Sequence, residues 1–143
     1  MKTIELKFSY YDFKIHKPRK LVPVCSSLSD ELISYLCAVY LSQADLEQSE
    51  YVLENLKNLE IIEKDLGAES WGAYLLDGSI IEMRSLFDFD NIERIDYITR
   101  VDFTKVIEKW REFLEREPDE NYEEIVTFEI EELDREKLLA LWN

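Results

Sequence analysis

Trp71-Gly72-Ala73-Tyr74-Leu75-Leu76-Asp77-Gly78-Ser79-Ile80-Ile81-Glu82-Met83 decides the fold class. Trp71, Ala73 and Leu75 fall on alternate positions before Asp77-Gly78, and Ile81 and Met83 fall on alternate positions after it. Alternation places successive side chains on opposite faces of a strand. An Asp-Gly pair supplies the left-handed backbone that a tight hairpin turn requires. The segment therefore reads as an antiparallel hairpin with one buried face.

Two helical stretches precede it. Leu28-Ser29-Asp30-Glu31 opens the first: Ser29 is read as its cap, acids fill its first turn, and Leu28 is placed to staple onto Ile33. Ile33, Leu36, Cys37 and Tyr40 share one face of it. A second helix is expected from Gln43 to Leu66 on the stripe Leu46, Leu53, Leu56, Leu59 and Ile62, with Gly67 as its C-terminal cap. Farther upstream, Ile4, Leu6, Phe8 and Tyr10 alternate with Thr3, Glu5, Lys7 and Ser9, the mark of a half-buried strand. A basic connector from Lys14 to Val24, interrupted by Pro18 and Pro23, joins that strand to the first helix.

Downstream of the hairpin a strand is expected from Ile92 to Thr99, with Ile95 and Tyr97 pointing inward. Asp102 is read as the cap of a third helix, whose Phe103, Val106, Ile107, Trp110 and Leu114 follow helical spacing. Val101 and Val106 stand at stapling positions, and Pro118 ends the helix. Val126, Phe128 and Ile130 mark a last strand. Asp134 caps a short helix carrying Leu138, Leu141 and Trp142, with Leu133 stapled to Leu138. The order β-α-α-β-β-β-α-β-α describes an α+β protein, with helices on one face of a mainly antiparallel sheet of about five strands. Residues 1–143 are read as a single domain.

Charge sets the class of partner. The chain holds 17 Lys and Arg against 32 Asp and Glu, a formal net charge of -15. The first 24 residues run the other way, with Lys2, Lys7, Lys14, Lys17, Arg19 and Lys20 against Glu5 and Asp12, so the negative charge is carried by the rest. Such a field attracts basic partners and repels the phosphates of nucleic acid. Apolar residues make up 46% of the chain, which is too many for a disordered acidic segment. Met1-Lys2-Thr3 leads directly into the first strand and no run of about 18 apolar residues occurs, so neither a signal segment nor a membrane span is expected. Cys25 and Cys37 have no metal-ligand spacing and read as reduced thiols in a cytoplasmic protein.

Catalytic and cofactor motifs are not apparent. His16 is the one histidine, set in the basic connector with no orienting partner in view. Ser26-Ser27-Leu28-Ser29 offers hydroxyls without a nucleophile elbow and reads as a loop ending in a helix cap. Three glycines cannot build a phosphate cradle. Asp88-Phe89-Asp90-Asn91-Ile92-Glu93 has the look of a calcium loop but lacks its central glycine and its twelfth-position glutamate. Paired carboxylates for hydrolysis arise by chance in so acidic a chain, and nothing marks one pair out. The expectation is therefore no catalytic residue, no metal and no cofactor.

Two acidic regions are candidates for partner binding. The first is Asp88, Phe89, Asp90, Glu93 and Asp96, where carboxylates alternate with aromatics; the competing reading makes Phe87 and Phe89 core residues. The second lies within Glu115 to Glu136, with Glu117, Asp119, Glu120, Glu123 and Glu124 as its proposed contacts. That run crosses a helix end, a loop, a strand and a helix start, and is expected to gather into one patch; the competing reading is a solvated face.

The segment from Trp71 to Leu114 resembles the small acidic immunity proteins encoded beside bacterial polymorphic or contact-dependent toxins. The likeness rests on the Trp71-to-Met83 hairpin, the acidic loop, and Ile98-Thr99-Arg100-Val101-Asp102-Phe103 leading into a helix with Trp110 and Phe113-Leu114. It implies a non-catalytic inhibitor that binds one cognate toxin domain, often a basic nuclease, and blocks its active site or substrate groove. It transfers no residue role. The expectation is an immunity protein or antitoxin, monomer or homodimer, acting by stoichiometric protein–protein interaction. Two alternatives stand beside it: a structural or regulatory adaptor whose acidity serves solubility, and an enzyme working through a carboxylate pair.

Overall fold

The computed structural model describes residues 1–14, 20–88 and 90–142. His16, Lys17, Pro18, Arg19 and Phe89 lie outside the described residues. The hairpin is as expected: β4 (Trp71–Leu76) and β5 (Ile80–Ser85) pair antiparallel, with Ala73 opposite Met83 and Leu75 opposite Ile81, all four buried. Asp77 and Gly78 have φ of 44° and 74°, the left-handed pair that matches the twist of a hairpin. β6 (Asp96–Thr99) adds beside β5 and the two-residue β3 (Lys64–Asp65) beside β4, giving an antiparallel sheet in the order β3-β4-β5-β6.

The expected single sheet is in fact two. β1 (Lys2–Asp12) buries Ile4, Leu6, Phe8 and Tyr10 as its alternation requires, but it is the centre of a separate antiparallel sheet, β2-β1-β7. β7 (Glu123–Ile130) is the expected last strand, and β2 (Leu21–Ser27) occupies the end of the basic connector, where no strand was expected. Pro23 sits opposite Tyr10 in β2, and a proline is tolerated there because β2 is an edge strand.

α1 (Leu32–Ser42) joins the two sheets. It carries no charged side chain, and it is buried through Ile33, Ser34, Leu36, Cys37, Ala38, Tyr40 and Leu41. It touches β1 and β2 of one sheet and β4, β5 and β6 of the other. A helix apolar on nearly all sides belongs in the middle of a core, not on one face of a sheet. α3 (Arg100–Leu114) closes the core. Trp110 meets Phe8 edge-on at 5.0 Å, Phe113 stacks on Tyr10 at 4.7 Å, and Phe103 contacts Tyr40 at 5.6 Å. The Trp110 indole N–H donates to the Ala44 carbonyl at 2.8 Å, which satisfies the polar edge of a buried ring.

Several helix ends differ from the expected ones. α1 starts after Glu31 with no side-chain cap; the Ser29 hydroxyl instead accepts from the Glu31 N–H, and Leu28 is exposed. α2 (Leu46–Lys57) is capped by Asp45, which accepts from the Gln48 N–H at 2.8 Å, and it stops well short of Leu66. Leu59 and Ile62 are exposed, and Gly67 follows β3, not a helix.

Arg100 explains the early stop. It is 6% exposed, and its guanidinium donates to the carbonyls of Asn55, Leu56, Asn58, Ile61 and Gly78 at 2.9–3.3 Å. Three of these are end carbonyls of α2, the groups a helix leaves without partners and the negative end of its dipole. One side chain thus terminates α2, holds the following loop and fixes the hairpin turn to the start of α3. Thr99, not Asp102, caps α3, accepting from the Asp102 N–H at 3.1 Å. Asp102 lies inside the first turn and accepts from the Glu131 N–H at 2.8 Å, tying the end of β7 to α3. Val101 is exposed and staples nothing. α4 (Arg135–Trp142) is capped by Asp134 as expected, and Leu133 and Leu138 pack with Leu76, Ile95, Tyr97 and Leu139. Leu141 and Trp142 point outward.

Candidate functional site

The connection from β5 to β6 carries the first acidic region. The Leu86 N–H donates to the Ser70 carbonyl at 2.8 Å, where the loop leaves the hairpin. The Asn91 N–H donates to the Asp88 carbonyl at 3.1 Å, and the Asn91 side-chain oxygen accepts from the Glu93 N–H, which closes a short turn before the 3₁₀ segment Ile92–Arg94. Arg135 of α4 donates to the carbonyls of Ile95 and Ile92 at 2.8 and 2.5 Å. The Arg94 guanidinium lies 5.2 Å from the Tyr35 ring centre. The loop is therefore fastened at both ends, and Phe87, Asp88 and Asp90 between them are exposed.

What is exposed is apolar as well as acidic. Phe87 is 86% exposed, and Leu86 and Ile92 are each about half exposed, with Asp88, Asp90 and Glu93 exposed among them. Tyr35 and Trp71, with ring centres 6.1 Å apart, continue this surface along α1. Phe87 is thus no core residue. Asp96 does not belong to the exposed set: it is 7% exposed in β6 opposite Met83, and accepts from the Tyr97 N–H at 2.8 Å. Burial raises its carboxyl above the ordinary range, against the opposing pull of that N–H and of nearby Lys2 and Arg135. A carboxylate so placed cannot meet a partner's surface, which corrects its inclusion among the contacts.

The second region does not form one patch. β7 holds eight residues, about 25 Å of extended chain. It separates Glu117, Asp119, Glu120, Glu123 and Glu124 at its start from Glu131, Glu132, Asp134 and Glu136 beyond its end. The starting end is knitted into its own surroundings. Glu123 lies 3.8 Å from Lys7, Glu124 is half-buried opposite Phe8, and Arg116 packs 3.4 Å over Tyr122, whose ring stacks on Phe113. The far end lies beside the 86–94 loop, through Arg135. The grouping that exists is thus the loop with α4, which the order of residues did not reveal.

Among the described residues no group of three or more His, Cys, Asp or Glu side chains is placed to hold a metal ion. Both cysteines are buried, and burial raises both thiols, Cys37 to about 12, so neither is a thiolate at neutral pH. No helix of the described residues is long and apolar enough to cross a membrane.

A family model described as a family of unknown function (DUF5376) matches residues 4–130, and the chain belongs to that family. The matched span runs from β1 to the last residue of β7 and so includes both sheets and the 86–94 loop. No curated protein and no solved structure matches the chain.

Proposed function

We propose that this family member is a non-catalytic binding protein that neutralises a basic bacterial toxin domain by one-to-one association, in the manner of an immunity protein. The observation that carries the reading is the exposed Phe87, in one loop with exposed Leu86 and Ile92 and exposed Asp88, Asp90 and Glu93. An exposed aromatic costs solubility and adds nothing to this core, so its use lies in what covers it. Aromatic anchors supply most of the energy of protein interfaces, and surrounding charge supplies speed and selectivity. Carboxylates around an anchor favour a cationic partner, and the net charge of -15 would steer it in from a distance. The likeness of residues 71–114 to toxin-immunity proteins favours a toxin domain as that partner.

The test is capture of partners from native cells at low salt, followed by expression of the captured protein with and without this chain. The reading expects a basic protein bound one-to-one, released by raising salt, whose expression is tolerated only with this chain present. A captured partner that is neutral and harmless would replace it with an adaptor role.

A further inference from the structure

At the other end of α1 the surface opens into a groove of about 550 Å³ between β2, the turn from α1 to α2, Glu69 and the C-terminal half of α3. Val22, Pro23, Leu46 and Leu114 form its apolar lining over the edge of Trp110. Asp45 and Glu69 stand in its wall, and the groove continues into a hollow of about 420 Å³ where Glu47 joins them. None of these three carboxylates makes an ion pair among the described residues. Lys20 lines the groove at its β2 end, and Lys64 lies 6.0 Å from the ring of Tyr51, which lines the hollow.

The wall is built rather than loose. The Ser70 N–H donates to the Gln43 side-chain oxygen at 2.8 Å, and the Gln48 side-chain amide donates to the Gly67 carbonyl at 3.0 Å, so the turn bearing Glu69 is held to both helices. Trp71, next after Ser70, meets Tyr35, and Tyr35 leads to Arg94 and the 86–94 loop. A chain of contacts thus connects the wall of the groove to the loop that bears Phe87.

We infer that this groove docks an extended segment of the basic partner, with an aliphatic side chain on Val22, Leu46 and Leu114 and a neighbouring lysine or arginine against Asp45, Glu47 and Glu69. The inference rests on the reading of this chain as a binder of a basic partner and names a second place of contact. An apolar floor beside carboxylates that have no ion pair among the described residues matches a side chain with an alkyl stem and a cationic head. A second copy of this chain is a poor occupant, because two bodies of such negative charge repel.

The test titrates the isotope-labelled full chain with two peptides of equal charge, acetyl-Lys-Leu-Lys-Leu-Lys-amide and acetyl-Lys-Ser-Lys-Ser-Lys-amide, while backbone amide signals are followed. The leucine peptide should shift Leu46, Glu69 and Leu114 and bind about tenfold tighter than the serine peptide, the worth of burying a leucine side chain. The double variant Leu46→Ser with Glu69→Asn should erase that difference with the chain still folded, since Leu46 is 37% exposed at the first residue of α2 and asparagine tolerates the left-handed backbone at position 69. Equal affinities, with shifts confined to residues 86–94, would remove the groove and leave the basic-partner reading standing. No shift with either peptide would remove both.

Discussion

At the β5–β6 end of the molecule, Asp88, Asp90 and Glu93 share a loop with exposed Leu86, Phe87 and Ile92; at the α3–β7 end, Glu117, Asp119, Glu120 and Glu123 flank Tyr122, whose ring is already covered by Arg116 and stacked on Phe113. In composition the two regions look alike. They differ in the kind of apolar surface left over: Phe87, an aromatic in a loop, is 86% exposed, while beside Glu123 and Glu124 the aliphatic Ile125 of β7 is 57% exposed. Charge without a spare aromatic anchor supplies solubility and long-range attraction, both screened by salt. Charge around a free anchor can also hold what it attracts. On that difference the proposed contact falls at the Phe87 end, where the exposed anchor is aromatic.

The largest effect breaks the junction of α2, the hairpin turn and α3. Arg100→Met removes the donors for five carbonyls and should cost about 3–5 kcal/mol of stability, read by urea denaturation. Any loss of partner binding in this variant should track its loss of fold, so recovery of binding at low temperature would be expected.

Next comes the anchor itself. Phe87→Ser should weaken partner binding by about 2 kcal/mol, the scale of an interface hot spot, as read by calorimetry. Its melting temperature should stay unchanged, since 86% of the residue is already in solvent. If affinity is retained and stability falls, Phe87 is a structural residue and the comparison collapses.

Charge reversal separates the two ends more finely. Asp88→Lys with Asp90→Lys should slow association about tenfold at low salt, with little change in dissociation. Glu117→Lys with Asp119→Lys should change it by about threefold or less at physiological salt, because that end acts only through the screened field. Stopped-flow association rates at two salt concentrations distinguish the cases.

The smallest effect concerns Asp96, which lies next to the loop yet faces inward. Its folded-state carboxyl titrates above its unfolded value because burial disfavours the charge. The folded state therefore prefers the protonated form, and stability is lost as pH rises through the raised value. Asp96→Asn should raise the melting temperature at neutral pH, and the gain should close as pH falls below about 4, where the unfolded carboxyl also protonates. A gain that persists at low pH would locate its cause elsewhere.

Local patterns in the chain announced the hairpin, the alternation of β1 and the aromatic face of α3, because each needs only neighbouring residues to be recognised. The division into two sheets was not announced. It depends on α1 being buried from both sides, and the one trace in the residues is that Leu32–Ser42 holds no charge at all. β2 was hidden by Pro23, which reads as a break until the strand is known to lie at an edge. The end of α2 was hidden because Leu59 and Ile62 continue its stripe, while the group that stops it, Arg100, stands 42 positions beyond Asn58. Thr99 could have been found as the cap of α3 from its spacing to Asp102, a capping pattern that the acid at 102 obscured. Of the site, the carboxylates at 88, 90 and 93 were legible as residues. The exposure of Phe87 was not, since an aromatic beside a strand is as often core, and the burial of Asp96 followed only from the pairing of β6 with β5.

The most direct measurement is a parallel capture from native cells at low salt with three baits: the unaltered chain, Phe87→Ser with Asp88→Lys and Asp90→Lys, and Glu117→Lys with Asp119→Lys. The account predicts one basic partner on the first and third baits and its loss from the second, with all three baits folded to the same melting temperature. Retention on the second bait with loss from the third would contradict it, and would place the contact at the α3–β7 end.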